Sequence, residues 1–109
     1  MKVLITGSNG QLGSEIKECA SEYENLEFIF KDLPELDICD TETLTTIITD
    51  QDINAVINCA GYTAVDKAEE EEEEALIAQK VNSEGVLNLA NALKKTRWEV
   101  NSYLYRLRI

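Results

Sequence analysis

Short apolar runs alternate along the chain with longer stretches of helical spacing. Lys2 to Thr6 is apolar and rich in β-branched residues, and it stops at Gly7-Ser8-Asn9-Gly10. From Gln11 to Tyr23 the apolar residues Leu12, Ile16, Cys19 and Ala20 recur at helical spacing, so the opening reads strand, glycine turn, helix. Leu26 to Phe30 is a second run of strand length closed by Lys31-Asp32-Leu33-Pro34, and Leu36-Asp37-Ile38 reads as a very short third extended piece. Asp40 is a good N-cap for a helix from Thr41 to about Asp50, with Leu44, Ile47 and Ile48 on one face. Asn54 to Cys59 is a further strand whose Ala55-Val56-Ile57 is continuously apolar, as expected where helices cover both faces of a parallel sheet. Helical spacing then runs from about Ala68 to Lys95, marked by Leu76, Val81, Val86, Leu87, Leu89 and Leu93. Strands alternating with helices predict an α/β fold with about four parallel strands in right-handed βαβ units. There is no internal repeat and no flexible linker.

One segment carries chemistry. Gly7-Ser8-Asn9-Gly10-Gln11-Leu12-Gly13 is a G-x-x-G-x-x-G between a predicted strand and a predicted helix. In a dinucleotide site Gly7 permits the tight turn, Gly10 lets backbone approach a pyrophosphate and Gly13 lets the helix pack close to the strand. The free N–H groups of the helix start then face the anion. A carboxylate for the adenosine ribose is expected at the end of the second strand, and Asp32 stands there. An acid there favours NAD over the 2′-phosphate of NADP, while the adjacent Lys31 offsets that preference, so the choice between NADH and NADPH stays open. Ligands of open α/β sheets bind beyond the carboxyl ends of the strands, which places Ala60, Gly61, Tyr62 and Thr63 beside the nicotinamide half. The plainer readings are a glycine turn with no ligand and an ordinary strand-to-helix loop.

Composition narrows the alternatives. At 109 residues and 44% hydrophobic the chain is one small globular domain. It has no apolar stretch of membrane-spanning length, and its start is too short and too soon interrupted to be a signal peptide, so a soluble cytoplasmic protein is expected. The net charge of −11 repels nucleic acid and anionic membranes, which are not expected partners. With no His, Ser-His, Cys-His and His-metal chemistry are excluded. Cys19, Cys39 and Cys59 read as buried reduced thiols. The six consecutive acids Glu69 to Glu74 read as a solvated helix start favoured by the helix dipole, or else as an ion site.

Met1 to Gly13, Leu36-Asp37-Ile38, the stretch Val56-Ile57-Asn58-Cys59-Ala60-Gly61-Tyr62-Thr63-Ala64-Val65-Asp66-Lys67-Ala68-Glu69 and then Val81-Asn82 together resemble the dTDP-4-dehydrorhamnose reductase family. That family lies within the extended short-chain dehydrogenase/reductase superfamily. The resemblance covers about residues 1–95 and implies the N-terminal half of a doubly wound, Rossmann-like NAD(P)-binding domain. It implies hydride transfer from NADPH or NADH to the 4-keto group of dTDP-4-dehydro-6-deoxy-L-mannose, giving dTDP-L-rhamnose for surface polysaccharide. By the same resemblance Gly10, Gln11 and Leu12 would lie at the pyrophosphate, Asp32 at the ribose, and Asp37 and Ile38 near the adenine. Ala60, Gly61, Tyr62 and Thr63 would lie along the rest of the cofactor. Some members hold Mg²⁺ at a dimer interface through a Glu in the first helix, where Glu15 stands; a surface helix acid is the plainer reading, and no residue is assigned to a metal.

Two positions depart from the family pattern. Gly61 replaces a usual Ala. The superfamily's Tyr with a Lys four residues later, which protonates the developing alkoxide, has no counterpart: Tyr23, Tyr62, Tyr103 and Tyr105 are followed at that offset by Glu27, Asp66, Leu107 and Ile109. No catalytic residue is therefore assigned, and the dTDP-sugar is a substrate only of a longer form. Residues 96–109 match nothing in the family pattern, and the charge changes sign there: residues 1–93 hold 20 acids and 5 bases, residues 94–109 one acid and 5 bases. The tail reads either as a frame-shifted end or as an edge strand with Tyr103, Tyr105, Leu107 and Ile109 on one face. An exposed sheet edge predicts self-association. The alternative function is a non-catalytic NAD(P)-binding or regulatory module.

Overall fold

The computed structural model describes residues 1–60 and 72–94. Three parallel strands, β1 (Lys2–Thr6), β2 (Glu27–Phe30) and β3 (Ala55–Asn58), lie in the order β2-β1-β3. Between them run α1 (Gln11–Cys19), a 3₁₀ turn (Ala20–Glu22) and α2 (Thr41–Asp50). After β3 come α3 (Glu72–Gln79), a π-helical turn (Lys80–Gly85) and α4 (Val86–Lys94). The fold is the parallel α/β, Rossmann-like one expected. The central position of β1 follows from its sequence, since Val3, Leu4, Ile5 and Thr6 are all buried and a strand hidden on both faces needs a continuous apolar run.

Register fixes which residues share a face. Leu4 pairs with Ile29 on one side and Val56 on the other, so these three form a row across the sheet. That row meets Leu44 and Ile48 of α2, Leu89 and Ala92 of α4, and Leu36, Ile38 and Ile53 in a single core. The opposite face carries the rows Phe28–Val3–Ala55 and Phe30–Ile5–Ile57. There Phe28 stacks on Phe30 with ring centroids 6.1 Å apart.

Several expectations change. The first helix ends at Cys19 and tightens into the 3₁₀ turn before Tyr23, whose N–H donates to Ala20 O at 3.2 Å. Leu36 to Ile38 is not a strand: Leu36 N donates to Asp32 O and Cys39 N to the Asp37 carboxylate, so the backbone turns locally and the two apolar side chains drop into the core. Ile57 is 41% exposed because α4, which touches β3, lies on the Val56 face, so the continuous apolar run of β3 is covered on one face among the described residues. The three cysteines are half-buried rather than buried, since each stands at or beside an element end. The expected long helix is interrupted between Gln79 and Val86 by the π-helical turn; its expected first residues, the fourth strand and the tail 96–109 lie outside the described residues.

Candidate functional site

The C-terminal ends of β1 and β3 are locked by polar groups. Asn58 Oδ1 accepts from the Thr6 hydroxyl and from Ala60 N at 3.2 Å, and Cys59 N donates to Thr6 O at 3.1 Å. These bonds hold the Ala60 backbone against Gly7, which has φ +59. A Cβ on Gly7 would stand 2.6 Å from Ala60 Cα, so both the backbone conformation and the space demand glycine. The chain then turns, with Gly10 N donating to Gly7 O at 3.1 Å, and enters α1. At Gly13 a Cβ would come within 2.6 Å of Ser8 Cα. The nearest atoms all belong to the buried turn residue Ser8, which follows β1, so a glycine here lets α1 lie close to that turn.

The first turn of α1 is open to an anion. Gly10 is the N-cap, no side chain caps the helix, and the first turn contains no acid, which leaves N–H groups of the first turn for a ligand. Among the described residues, a Cβ on Gly10 would meet only Gly7 O, at 3.4 Å. Backbone here is thus approachable, and these groups fit a pyrophosphate. Gln11 and Leu12 are exposed beside it, Leu12 by 49%.

Asp32 joins this loop. Lys31 N donates to Ile5 O and Ser8 N to Lys31 O, tying the end of β2 to the glycine turn. The Asp32 carboxylate accepts from Asn9 N at 2.8 Å and from Leu33 N at 2.7 Å. Asn9, Thr6 and Asn58 carry no motif of their own; for Thr6 and Asn58 the signal is two polar residues paired in register at the ends of adjacent strands. Lys17 Nζ donates to Asn9 Oδ1 at 3.1 Å and lies 5.5 Å from the centre of the Phe30 ring.

The remaining expected site residues are more scattered. Asp37 is exposed and spends one carboxylate oxygen on Cys39 N at 2.9 Å. The Ile38 side chain is buried against Gly85, and its carbonyl accepts from Asn88 Nδ2 at 3.1 Å; the side chain belongs to the core. Gly61, Tyr62 and Thr63 lie outside the described residues. Glu15 is exposed on α1, and among the described residues no group of three Cys, Asp or Glu side chains is arranged to hold a metal. Burial, reinforced by the negative charge of Asp37, pushes the Cys39 thiol up from its ordinary value, and burial alone does so for Cys59.

Residues 1–100 match the RmlD substrate binding domain family. A dTDP-4-dehydrorhamnose reductase of Burkholderia thailandensis is 39% identical over 95 residues, which are 87% of this chain and 30% of that protein. The crystal structure of a dTDP-4-dehydrorhamnose reductase from Clostridium acetobutylicum superposes with a TM-score of 0.78 at 42% identity, covering 91% of this chain and 34% of that one. The Bacillus anthracis dTDP-4-dehydrorhamnose reductase, solved in complex with NADP, gives a TM-score of 0.78 at 32% identity over 90% of this chain and 34% of its own. The chain thus spans about 30% of the length of the curated relatives it matches. On the glycine turn, the parallel sheet and these matches, the chain belongs to the RmlD substrate binding domain family, that of the dTDP-4-dehydrorhamnose reductases.

Proposed function

We propose that residues 1–95 form the dinucleotide-binding half-domain of a dTDP-4-dehydrorhamnose reductase, a cytoplasmic oxidoreductase of the extended short-chain dehydrogenase/reductase superfamily. The activity proposed for the full-length form is NAD(P)H-dependent reduction of dTDP-4-dehydro-6-deoxy-L-mannose to dTDP-L-rhamnose. The observation that carries this reading is Gly7 at φ +59 against Ala60, followed by an uncapped, acid-free helix start.

In this reading the N–H groups of Gln11, Leu12 and Gly13 receive the pyrophosphate past Gly10, and Asp32 accepts from the adenosine ribose. Asp37 and the backbone near Ile38 border the adenine, and Ala60, Gly61, Tyr62 and Thr63 line the path toward the nicotinamide. The cofactor, when bound, supplies the hydride. The net charge of −11 supports a protein that binds neither nucleic acid nor anionic membrane, and no described helix is long and apolar enough to cross a membrane. Among the described residues no strand pairs with the outer edge of β3, and this edge with the exposed Ile57, Leu76, Ile77 and Leu87 supports self-association of the isolated chain.

Titration calorimetry with NADH and NADPH tests the site. Binding is expected in the unaltered chain and its loss in Gly10→Glu, whose side chain fills the approach and adds a negative charge; heat that persists unchanged in the variant removes Gly10 from the site. Since no Tyr of the sequence has a Lys four residues on, no turnover is expected from the 109 residues alone. That observation also favours a second reading, a non-catalytic NAD(P)-binding or regulatory module. Translating the coding DNA past codon 96 in all three frames separates the two. A frame continuing into Ser-Thr-Asp-Tyr and Tyr-x-x-x-Lys marks a piece of a reductase; the lack of one leaves the binding module.

A further inference from the structure

Lys31 adjoins Asp32 in sequence and Lys17 shares the partner Asn9 with it, and the surroundings of the two lysines differ. Lys31 precedes Asp32 in the chain, but its ammonium is paired with Glu35 at 3.0 Å. Lys17, on the second turn of α1, is exposed, lies over the Phe30 ring and donates to the side-chain carbonyl of Asn9 at 3.1 Å. Asn9 is the residue whose main-chain N–H donates to Asp32. A single residue therefore holds the acid through its backbone and the base through its side chain.

We infer that Lys17, and not Lys31, is the specificity-determining cation that lets this site accept a 2′-phosphorylated adenosine dinucleotide despite Asp32. The inference rests on the dinucleotide reading of the glycine turn. A 2′-phosphate placed at Asp32 meets a negative charge and needs a cation that can reach it at little cost. Lys17 gives up a neutral amide oxygen and its place over the Phe30 ring, both uncharged partners, and gains a charge-assisted hydrogen bond. Lys31 would have to surrender a carboxylate to do the same. The Phe30 ring, whose centre lies 5.5 Å from the Lys17 ammonium, favours its position near the end of β2. NADH presents a hydroxyl there, which donates to the Asp32 carboxylate and has no use for Lys17.

The test is calorimetric titration of the chain with NADPH and with NADH, for the unaltered protein and for Lys17→Ala, Lys17→Arg and Lys31→Ala. Lys17→Ala is expected to weaken NADPH about tenfold, the scale of one hydrogen bond between charged groups, and to leave NADH within about twofold. Lys17→Arg is expected to restore NADPH, and Lys31→Ala to change neither ligand. An unchanged NADPH affinity in Lys17→Ala, an equal loss for both cofactors, or a larger loss in Lys31→Ala overturns the assignment while the binding site stands. If the unaltered chain binds neither cofactor, the dinucleotide reading itself fails and the assignment with it.

Discussion

At the residue scale the site depends on a backbone conformation that one side-chain type satisfies. Gly7→Ala places a Cβ against the Ala60 backbone at φ +59, and the left-handed conformation alone costs about 1–3 kcal/mol. Urea unfolding is expected to show at least that loss of stability; a variant as stable as the parent would mean that the turn relaxes without cost. The cysteines give a second test. Burial raises Cys39 and Cys59, so at mildly alkaline pH each holds a smaller thiolate fraction than a free cysteine. Their alkylation, followed by mass spectrometry, is expected to lag behind that of a free thiol, and labelling at the free rate would contradict the packing around them. Gly7, Gly10, Gly13 and Asp32 were legible in the sequence because their spacing follows from strand, turn and helix geometry. Asn9 and Lys17 were not, because the bond from Asn9 in the glycine turn to Asp32 after β2 joins residues 23 apart in the chain, which no local pattern encodes.

At the element scale, α2 shows how far local rules reach. Asp40 was read as its cap, and its carboxylate accepts from Thr43 N at 3.2 Å and from the Thr43 hydroxyl at 2.8 Å. Those bonds hold the Asp40 carboxyl below its ordinary value. A depressed acid stabilises the fold above its unfolded pKa and loses that contribution as pH falls through the folded value. Asp40→Ala is therefore expected to lower Tm by a few degrees at neutral pH, with the difference from the parent shrinking once the pH drops below the carboxylate range. A difference independent of pH would assign the effect to something other than the charge. Leu44, fully buried on the same helix, is expected to cost about 3 kcal/mol on truncation to Ala, measured by denaturant unfolding. The Leu36–Ile38 reading failed for a physical reason: two apolar residues flanking an acid look like a strand, yet Asp37 bonds its own backbone two residues on and closes a turn.

At the scale of the whole molecule, the described elements leave several large hydrophobic side chains in water. Ile57, Leu76, Ile77 and Leu87 are exposed large hydrophobics on β3, α3 and α4, and the chain spans about 30% of the relatives it matches. The isolated chain is expected to elute from size exclusion as a concentration-dependent oligomer; a monomer at high concentration would show that this surface is tolerated in water. Sequence pattern does not show that Ile57 stays 41% exposed, because a continuous apolar run states that both faces can be buried and not what buries them.

In the proposed function the glycine turn and the end of β2 form one dinucleotide half-site. Its most direct test is a two-dimensional amide NMR titration of the chain with NADPH. The account predicts that the largest shifts fall on the N–H groups of residues 9–13 and on those around Asp32, where the turn and β2 are tied together. Saturating ligand with no shift in those amides, or shifts confined to other surfaces such as Glu22 to Leu26, would contradict it.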